Sequence, residues 1–455
     1  CDQEMKRTIT EESVLFASVI KWIMLASCTG VIVGLASAAF LGILSWATAH
    51  AENFAYTIFF LPLAFFVSSL LTTHVAPDAR GHGTEKVIEA IHKHDSIIPA
   101  AVVPVKLLAT VITLAAGGSA GKEGPCAQIG AGLASLFARL LSFNESDRRK
   151  LVICGISAGF ATVFGTPIAG AIFGVEVLIV GTLLYDVLLP SFVAGVTAYQ
   201  VSSYFGVPYI HSDVTLSGLS EVLLLKVIFA AILFGFVSVL LIQGMQLGHK
   251  LFGRLRMWPP LKAAGAGCVL ALLALIFGRQ YLGLGVPTIS ACLGGQGVSW
   301  PVPFLKIVFT SITLNGGGSG GIVTPIFFIG STTGALVAPL FRADTATMAA
   351  MGFVCLLAGA ANTPIAASIM AVEMFGPAIG PYAAVGCVVA YLITGHRSVY
   401  PSQLLAIRKS SSLDVQMGAE MNQVRTSYRQ KGTTPAGRFA ALVRRAAAKW
   451  RKPGQ

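Results

Sequence analysis

Gly117-Gly118-Ser119-Ala120-Gly121-Lys122-Glu123-Gly124-Pro125 returns later in the chain as Gly316-Gly317-Gly318-Ser319-Gly320-Gly321-Ile322-Val323-Thr324-Pro325, with Gly121 falling on Gly321 at an offset of 200. The markers downstream keep their order. Gln128-Ile129-Gly130 falls on Phe328-Ile329-Gly330, Thr166-Pro167-Ile168-Ala169 on Thr363-Pro364-Ile365-Ala366, and Val175-Glu176 on Val372-Glu373, the last two at an offset of 197. Apolar composition does not repeat polar markers in order, so the chain reads as two copies of one unit. That unit is a glycine loop, a short helix, a second helix, Thr-Pro-Ile-Ala, and an apolar helix carrying one Glu. Repeats in transporters are often inverted, with the substrate site where the halves meet near the membrane midplane. Should each half cross an odd number of times, the two glycine loops point at each other from opposite sides.

The composition places this repeat in lipid. Of 455 residues 55% are hydrophobic and only 11% charged, and the mean hydropathy is +0.75. Ordinary soluble domains carry about 25% charged residues, so there is too little charge here to cover a core of this size. The 49 glycines fit the same setting, because small residues let helices approach closely in a membrane and broken helices are tolerated where they line a cavity. Eight cysteines are scattered singly with no Cys-x-x-Cys pair, which supports neither a metal site nor a disulfide framework. Nine of the twelve net positive charges lie from Arg408 onward, where eleven Lys/Arg face Asp414 and Glu420. A basic tail after the last apolar stretch reads as cytoplasmic by the positive-inside rule, and beside an all-membrane body it does not point to nucleic acid.

Apolar stretches run over about 15–48, 53–76, 97–120, 124–142, 150–184, 187–205, 218–250, 262–280, 301–315, 322–341, 348–376 and 380–395. A simple span needs about 20 apolar residues. Some stretches exceed one crossing and others fall short, as expected of an all-α polytopic bundle with broken and tilted helices. The expected divisions are an N-terminal cytoplasmic segment at 1–14, a first membrane repeat at 15–206, a second at 207–408, and a basic cytoplasmic tail at 409–455.

Three glycine-rich junctions begin short helices: Gly81-His82-Gly83-Thr84 and the two repeat-related loops. A helix N-terminus offers unpaired N–H groups and the positive end of a dipole, and glycine lets the backbone approach an ion. Several such ends converging would hold an anion without a full positive charge, so that it can also leave. A phosphate loop is excluded. Residue 116 is Ala where its first glycine belongs, and Glu123 follows Lys122 where Ser or Thr is needed.

On these residues the chain resembles the CLC family of chloride channels and chloride/proton exchangers. That family has a Gly-Ser-Gly-x-Pro loop, a Gly-Lys/Arg-Glu-Gly-Pro loop, a Gly-x-Phe-x-Pro loop and a late pore tyrosine. Gly121 to Pro125 match the second loop fully, Gly321 to Pro325 match the third in part, and Tyr400 stands where the tyrosine is expected, just before a final short helix. Pro104-Val105-Lys106 ahead of the second loop also fits, and the likeness runs from about residue 20 to 408. The resemblance implies an inverted-repeat bundle, a homodimer with one pore per subunit, and transport of a small inorganic anion with no cofactor. Glu123 would be the gating glutamate, competing with anion and exchanging protons, since a carboxylate in low dielectric is readily protonated. The anion would meet His82, Gly83, Gly121, Gly124, Gly321, the N–H groups of Ile322 and Val323, and the Tyr400 hydroxyl, with Lys106 supplying positive potential.

Three positions depart from the family pattern. His82 replaces the pore serine, Glu85 stands where the first loop has Pro, and Val323 replaces Phe. Where exchangers commonly carry an inner glutamate, this chain has Val177, with Glu176 one residue and about 100° of helix away. Val177 favours passive chloride conduction over exchange. Glu176 and its repeat partner Glu373 read as helix–helix contacts. The alternatives are a chloride/proton antiporter and a carrier of fluoride, nitrate or a small organic acid, the last group favoured by His82 and Val323. An enzyme is not expected, because the eight His are dispersed and no nucleophile stands with a base. The stretch after Arg408 is too short for the paired regulatory domains of larger relatives, which points to a bacterial inner membrane.

Overall fold

The computed structural model describes residues 2–54, 56–212, 214 and 219–428. Its helices fall into two matching sets of eight. The first set is α1 (Asp2–Glu52), α2 (Leu61–His74), α3 (Thr84–Lys93), α4 (Val102–Ala115), α5 (Glu123–Leu140), α6 (Glu145–Phe164), α7 (Pro167–Glu176) and α8 (Tyr185–Tyr204). The second is α9 (Glu221–Arg254), α10 (Pro259–Phe277), α11 (Val286–Leu293), α12 (Val302–Gly316), α13 (Val323–Val337), α14 (Thr345–Ala361), α15 (Pro364–Phe375) and α16 (Gly380–Thr394).

Local chemistry sets the same boundaries in both copies. Asn144 caps α6 by accepting the Asp147 N–H at 2.8 Å, and Asp344 caps α14 by accepting the Thr347 N–H at 2.7 Å; such caps are worth about 1 kcal/mol each. α6 ends at Gly165 and α14 at Asn362, both left-handed, with φ of 70° and 58°. Gly and Asn are the residues that take this conformation most readily. Thr-Pro follows in each case, placing Pro167 and Pro364 at the first position of the next helix. The apolar stretches at 150–184 and 348–376 therefore each divide into two helices at Thr-Pro, in the order of the repeated unit.

Among the described residues five segments are long and apolar enough to cross a membrane, including Thr10–Glu52 and Glu221–Arg254. These carry outward-facing Phe16, Leu35, Phe229 and Phe236, side chains suited to lipid. By contrast α5, α6, α13 and α14 are buried on nearly every face. α5 meets α6 at Gly130 and Gly155, where a Cβ on Gly155 would lie 2.5 Å from the Gly130 carbonyl oxygen. Close approach of backbones through small residues is how helices associate where no hydrophobic force separates them from lipid.

Contacts between the halves are reciprocal. Ser119 N–H donates to Thr313 Oγ1 and Ser319 N–H to Thr113 Oγ1, both at 3.0 Å. Thr110 meets Ser319 at 3.0 Å, and Thr310 meets Ser119 at 3.2 Å. Glu176 accepts the N–H groups of Ile365 and Ala366, and Glu373 those of Ile168 and Ala169, all between 2.8 and 3.0 Å. Each carboxylate thus caps the helix of the opposite copy. Exchanging the halves maps each bond onto its partner, the signature of two copies related by a pseudo-twofold axis, as an inverted repeat requires.

α1 begins at Asp2 and runs unbroken into the first span, so the stretch expected as an N-terminal segment is helical and continuous with it from Asp2. The chain after residue 408 packs against the helices as far as Tyr428. Lys409 Nζ donates to Asn362 Oδ1 at 2.6 Å and to the Tyr391 carbonyl at 2.7 Å, and Glu420 pairs with Lys93 at 2.7 Å. The buried ammonium finds its acceptors on the helices, so the segment must follow. Residues 429–455, with most of the basic charge, lie outside the described residues.

Candidate anion pathway

All three glycine junctions meet. Gly121 and Gly321 pair backbone to backbone, N–H to carbonyl at 2.8 and 2.7 Å in the two directions. Gly83, with φ of +77°, leaves no room for a side chain against the Gly124 carbonyl. A Cβ on Gly124 would overlap the His82 carbonyl oxygen and lie 3.0 Å from Gly321 Cα. Only glycine at these positions lets the N-terminal ends of α3, α5 and α13 converge at backbone contact.

Glu123 stands at the first position of α5, and its carboxylate reaches across to α13. Oε1 accepts the Thr324 N–H at 2.9 Å, and Oε2 accepts the Thr324 hydroxyl at 2.6 Å. The carboxylate is fully buried and lies at the positive end of the α13 dipole. Neither Lys122 nor Lys106 pairs with it among the described residues. A negative group is therefore held by the kind of donors that would hold an anion. Ile322 is the N-cap residue of α13 and Val323 its first residue, so their N–H groups are among the first-turn donors left without an intrahelical acceptor.

Lys106 is fully buried and donates to the Gly81 carbonyl at 2.6 Å and the Ala79 carbonyl at 3.2 Å. It fixes the loop that carries His82. Its repeat partner Lys306 does the same, donating to Gly283 at 2.9 Å and Tyr281 at 3.0 Å, with its ammonium 4.9 Å from the Phe328 ring centre. The pairing at an offset of 200 was readable from the repeat, yet Lys306 was not singled out.

Tyr400 is fully buried. Its hydroxyl has no hydrogen-bond partner of acceptable geometry; Thr84 is its polar neighbour, and the charges of Glu123 and Glu85 are within electrostatic reach. The short helix expected after Tyr400 is replaced by extended chain. Leu404–Leu405 pairs in parallel with Ile179–Val180, and the Gln403 side chain donates to the Val177 and Ala361 carbonyls at 2.7 and 2.8 Å. Pro401 and these cross-chain acceptors favour extended backbone over a helix.

The His82 imidazole faces a cavity of about 280 Å³ that it shares with His249, and its Nδ1 is buried without a partner. Sequence reasoning missed two further residues. Thr324 was passed over although it carries the one hydroxyl in its motif. Glu85 was noted only as a missing proline, whereas its Oε1 accepts both the N–H and the hydroxyl of Ser402, at 3.0 and 2.6 Å, and so ties α3 to the Tyr400 loop.

A family profile described as voltage gated chloride channel matches residues 63–395. The chain is 37% identical over 403 residues to a chloride/fluoride channel protein of Pseudomonas syringae pv. tomato, covering 86% of this chain and 88% of that one. It is 30% identical over 342 residues to the voltage-gated ClC-type chloride channel ClcB of Escherichia coli, over 70% and 80% of the two chains. Among solved structures, a CLC-type fluoride/proton antiporter aligns with a TM-score of 0.81 and 30% identity, covering 85% of this chain and 98% of that one. A slow cyanobacterial Cl−/H+ antiporter at 24% identity and a TM-score of 0.71 shares the fold over 82% and 94% of the two chains. Helical architecture, reciprocal repeat contacts and these likenesses agree: the chain is an integral membrane protein that belongs to the CLC family of anion transporters.

Proposed function

We propose that the chain exchanges a small halide, fluoride before chloride, for protons across a bacterial plasma membrane, with Glu123 as the group that alternately admits anion and carries the proton. One observation carries this reading: the Glu123 carboxylate takes both the N–H and the hydroxyl of Thr324 at the mouth of α13. An anion can use those donors only once the carboxylate has left them. Protonation removes the charge that holds it there, which links anion entry to proton uptake. Fluoride is the preferred ion on chemical grounds, because a small, strongly hydrated anion needs strong N–H and O–H donors in place of water. The likeness to a chloride/fluoride channel protein and to a fluoride/proton antiporter supports the same choice.

The site residues take roles within this scheme. His82, Gly83, Gly121, Gly124, Gly321, Ile322, Val323 and Tyr400 surround the anion's course, and Lys106 supplies potential from behind. We place the ordered segment after Tyr400 on the cytoplasmic face, and take the working form to be a homodimer with a pathway in each subunit.

The test is ion efflux from proteoliposomes, with fluoride, chloride and protons recorded together. Exchange predicts that fluoride running down its gradient drives protons uphill, and that Glu123→Gln abolishes the proton movement. Fluoride or chloride flux that moves no protons in the wild type would overturn exchange in favour of the passive channel that Val177 suggests. Chloride flux far above fluoride flux would overturn the choice of ion alone.

A further inference from the structure

Glu85 has an oxygen the fold does not use. Its Oε1 is committed to Ser402, while Oε2 is buried without a partner. An idle acceptor on a buried carboxylate is destabilising, more so when charged, so structural anchoring alone does not account for a full carboxylate here. A Gln or Ser would take the same two donors.

The surroundings give that oxygen a use. Glu85 lines the cavity of about 280 Å³ together with Arg80, His82, Lys86, His249 and Pro401. Arg80 and His249 are exposed, so the cavity reaches solvent, on the face that carries the chain after Tyr400. Two of the residues lining this space each carry a buried polar atom without a hydrogen-bond partner among the described residues, Oε2 of Glu85 and Nδ1 of His82. The Tyr400 hydroxyl is within electrostatic reach of both Glu85 and Glu123, and the Ser402 that Glu85 holds lies two residues beyond Tyr400. The charged groups facing Glu85 are Lys86 and Glu89 on its own helix, Arg80 and His82 on the preceding loop, and His249 at the end of α9.

We infer that Glu85 is the proton-loading carboxylate on the Tyr400 side of the pathway, filling the role left open by Val177. A proton from the solution in the cavity forms an O–H bond at Oε2 while Oε1 stays bonded to Ser402. That bond breaks as the proton moves on past His82 and Tyr400 to the Glu123 carboxylate, and Glu85 returns to its anionic form. No other reactant is needed.

This rests on the exchange reading, and the experiment separates the two. Protons moved per fluoride ion are measured in proteoliposomes for the wild type, Glu85→Gln and Glu85→Asp. Gln keeps an oxygen for Ser402 but cannot carry the proton, so the proton-to-anion ratio should fall roughly tenfold or more. Asp keeps an ionisable oxygen on the cavity and should hold the wild-type ratio. An unchanged ratio in Glu85→Gln overturns the inference while leaving exchange intact. A ratio lost equally in Gln and Asp shows a positioning role only, and also overturns it. Fluoride flux without protons in the wild type overturns exchange, and this inference with it.

Discussion

The two glycine junctions share one backbone and carry opposite chemistry. In the first, Glu123 and Gly124 open α5; in the second, Val323 and Thr324 open α13. The first supplies a carboxylate and a position too crowded for any side chain, and the second supplies the hydroxyl and N–H that receive the carboxylate. On the helix before each junction a buried lysine grips two carbonyls of an earlier loop, Lys106 those of Ala79 and Gly81 ahead of α3 and Lys306 those of Tyr281 and Gly283 ahead of α11. The repeat gives a symmetric frame, and two positions that differ between its copies make the centre an acceptor facing a donor. A symmetric frame can hold an ion at its centre, but only the asymmetric pair gives the ion a competitor.

Exchanging residues between the copies tests this directly. The largest effect is expected for Gly124→Thr, which copies the second junction into the first. Its side chain would overlap the His82 carbonyl, costing on the order of 4 kcal/mol or more, and little folded protein should survive detergent extraction and size-exclusion chromatography. Recovery of well-folded protein would show that the loops are not in backbone contact. Next comes Glu123→Val, which also copies the second junction. Anion flux in proteoliposomes should persist while proton movement disappears, and retained coupling would remove Glu123 from the mechanism.

Thr324→Val keeps the N–H but deletes the hydroxyl donor, a charge-assisted bond worth about 1.5–3 kcal/mol. The carboxylate is then held less tightly, and fluoride leak without protons should rise about tenfold or more; an unchanged leak would show that the hydroxyl does not latch the gate. The smallest effects are expected for the capping carboxylates. Glu176→Gln and Glu373→Gln each lose one of two N–H acceptors, for about 1 kcal/mol. Glu176, at 5% exposure, should cost more than half-buried Glu373. Thermal unfolding in detergent ranks them, and a reversed order would mean that burial does not set the strength of these caps.

Much of this was readable from the chain. In so apolar a sequence each polar marker is conspicuous, so the repeat, Glu123, Lys106 and the Thr-Pro helix breaks stood out. The capping roles of Glu176 and Glu373 were legible only as helix contacts, because the helix that donates the N–H groups lies about 190 to 205 residues away. Thr324 looked like any first-turn hydroxyl until Glu123 was found against it, 201 residues distant. Glu85 looked like a lost proline because its partner Ser402 is 317 residues further on.

The sequence by itself determined membrane residence, the doubled unit, the helix ends and the residue types at the glycine junctions. Those follow from hydropathy, backbone conformation and capping, which act over a few residues. Only the tertiary structure decided which donor meets Glu123, that Tyr400 sits on extended chain, and that Glu85, in the wall of a cavity, keeps one buried oxygen unpartnered. Such pairings are made between segments that approach only after both repeats have closed on each other, and no local preference encodes them.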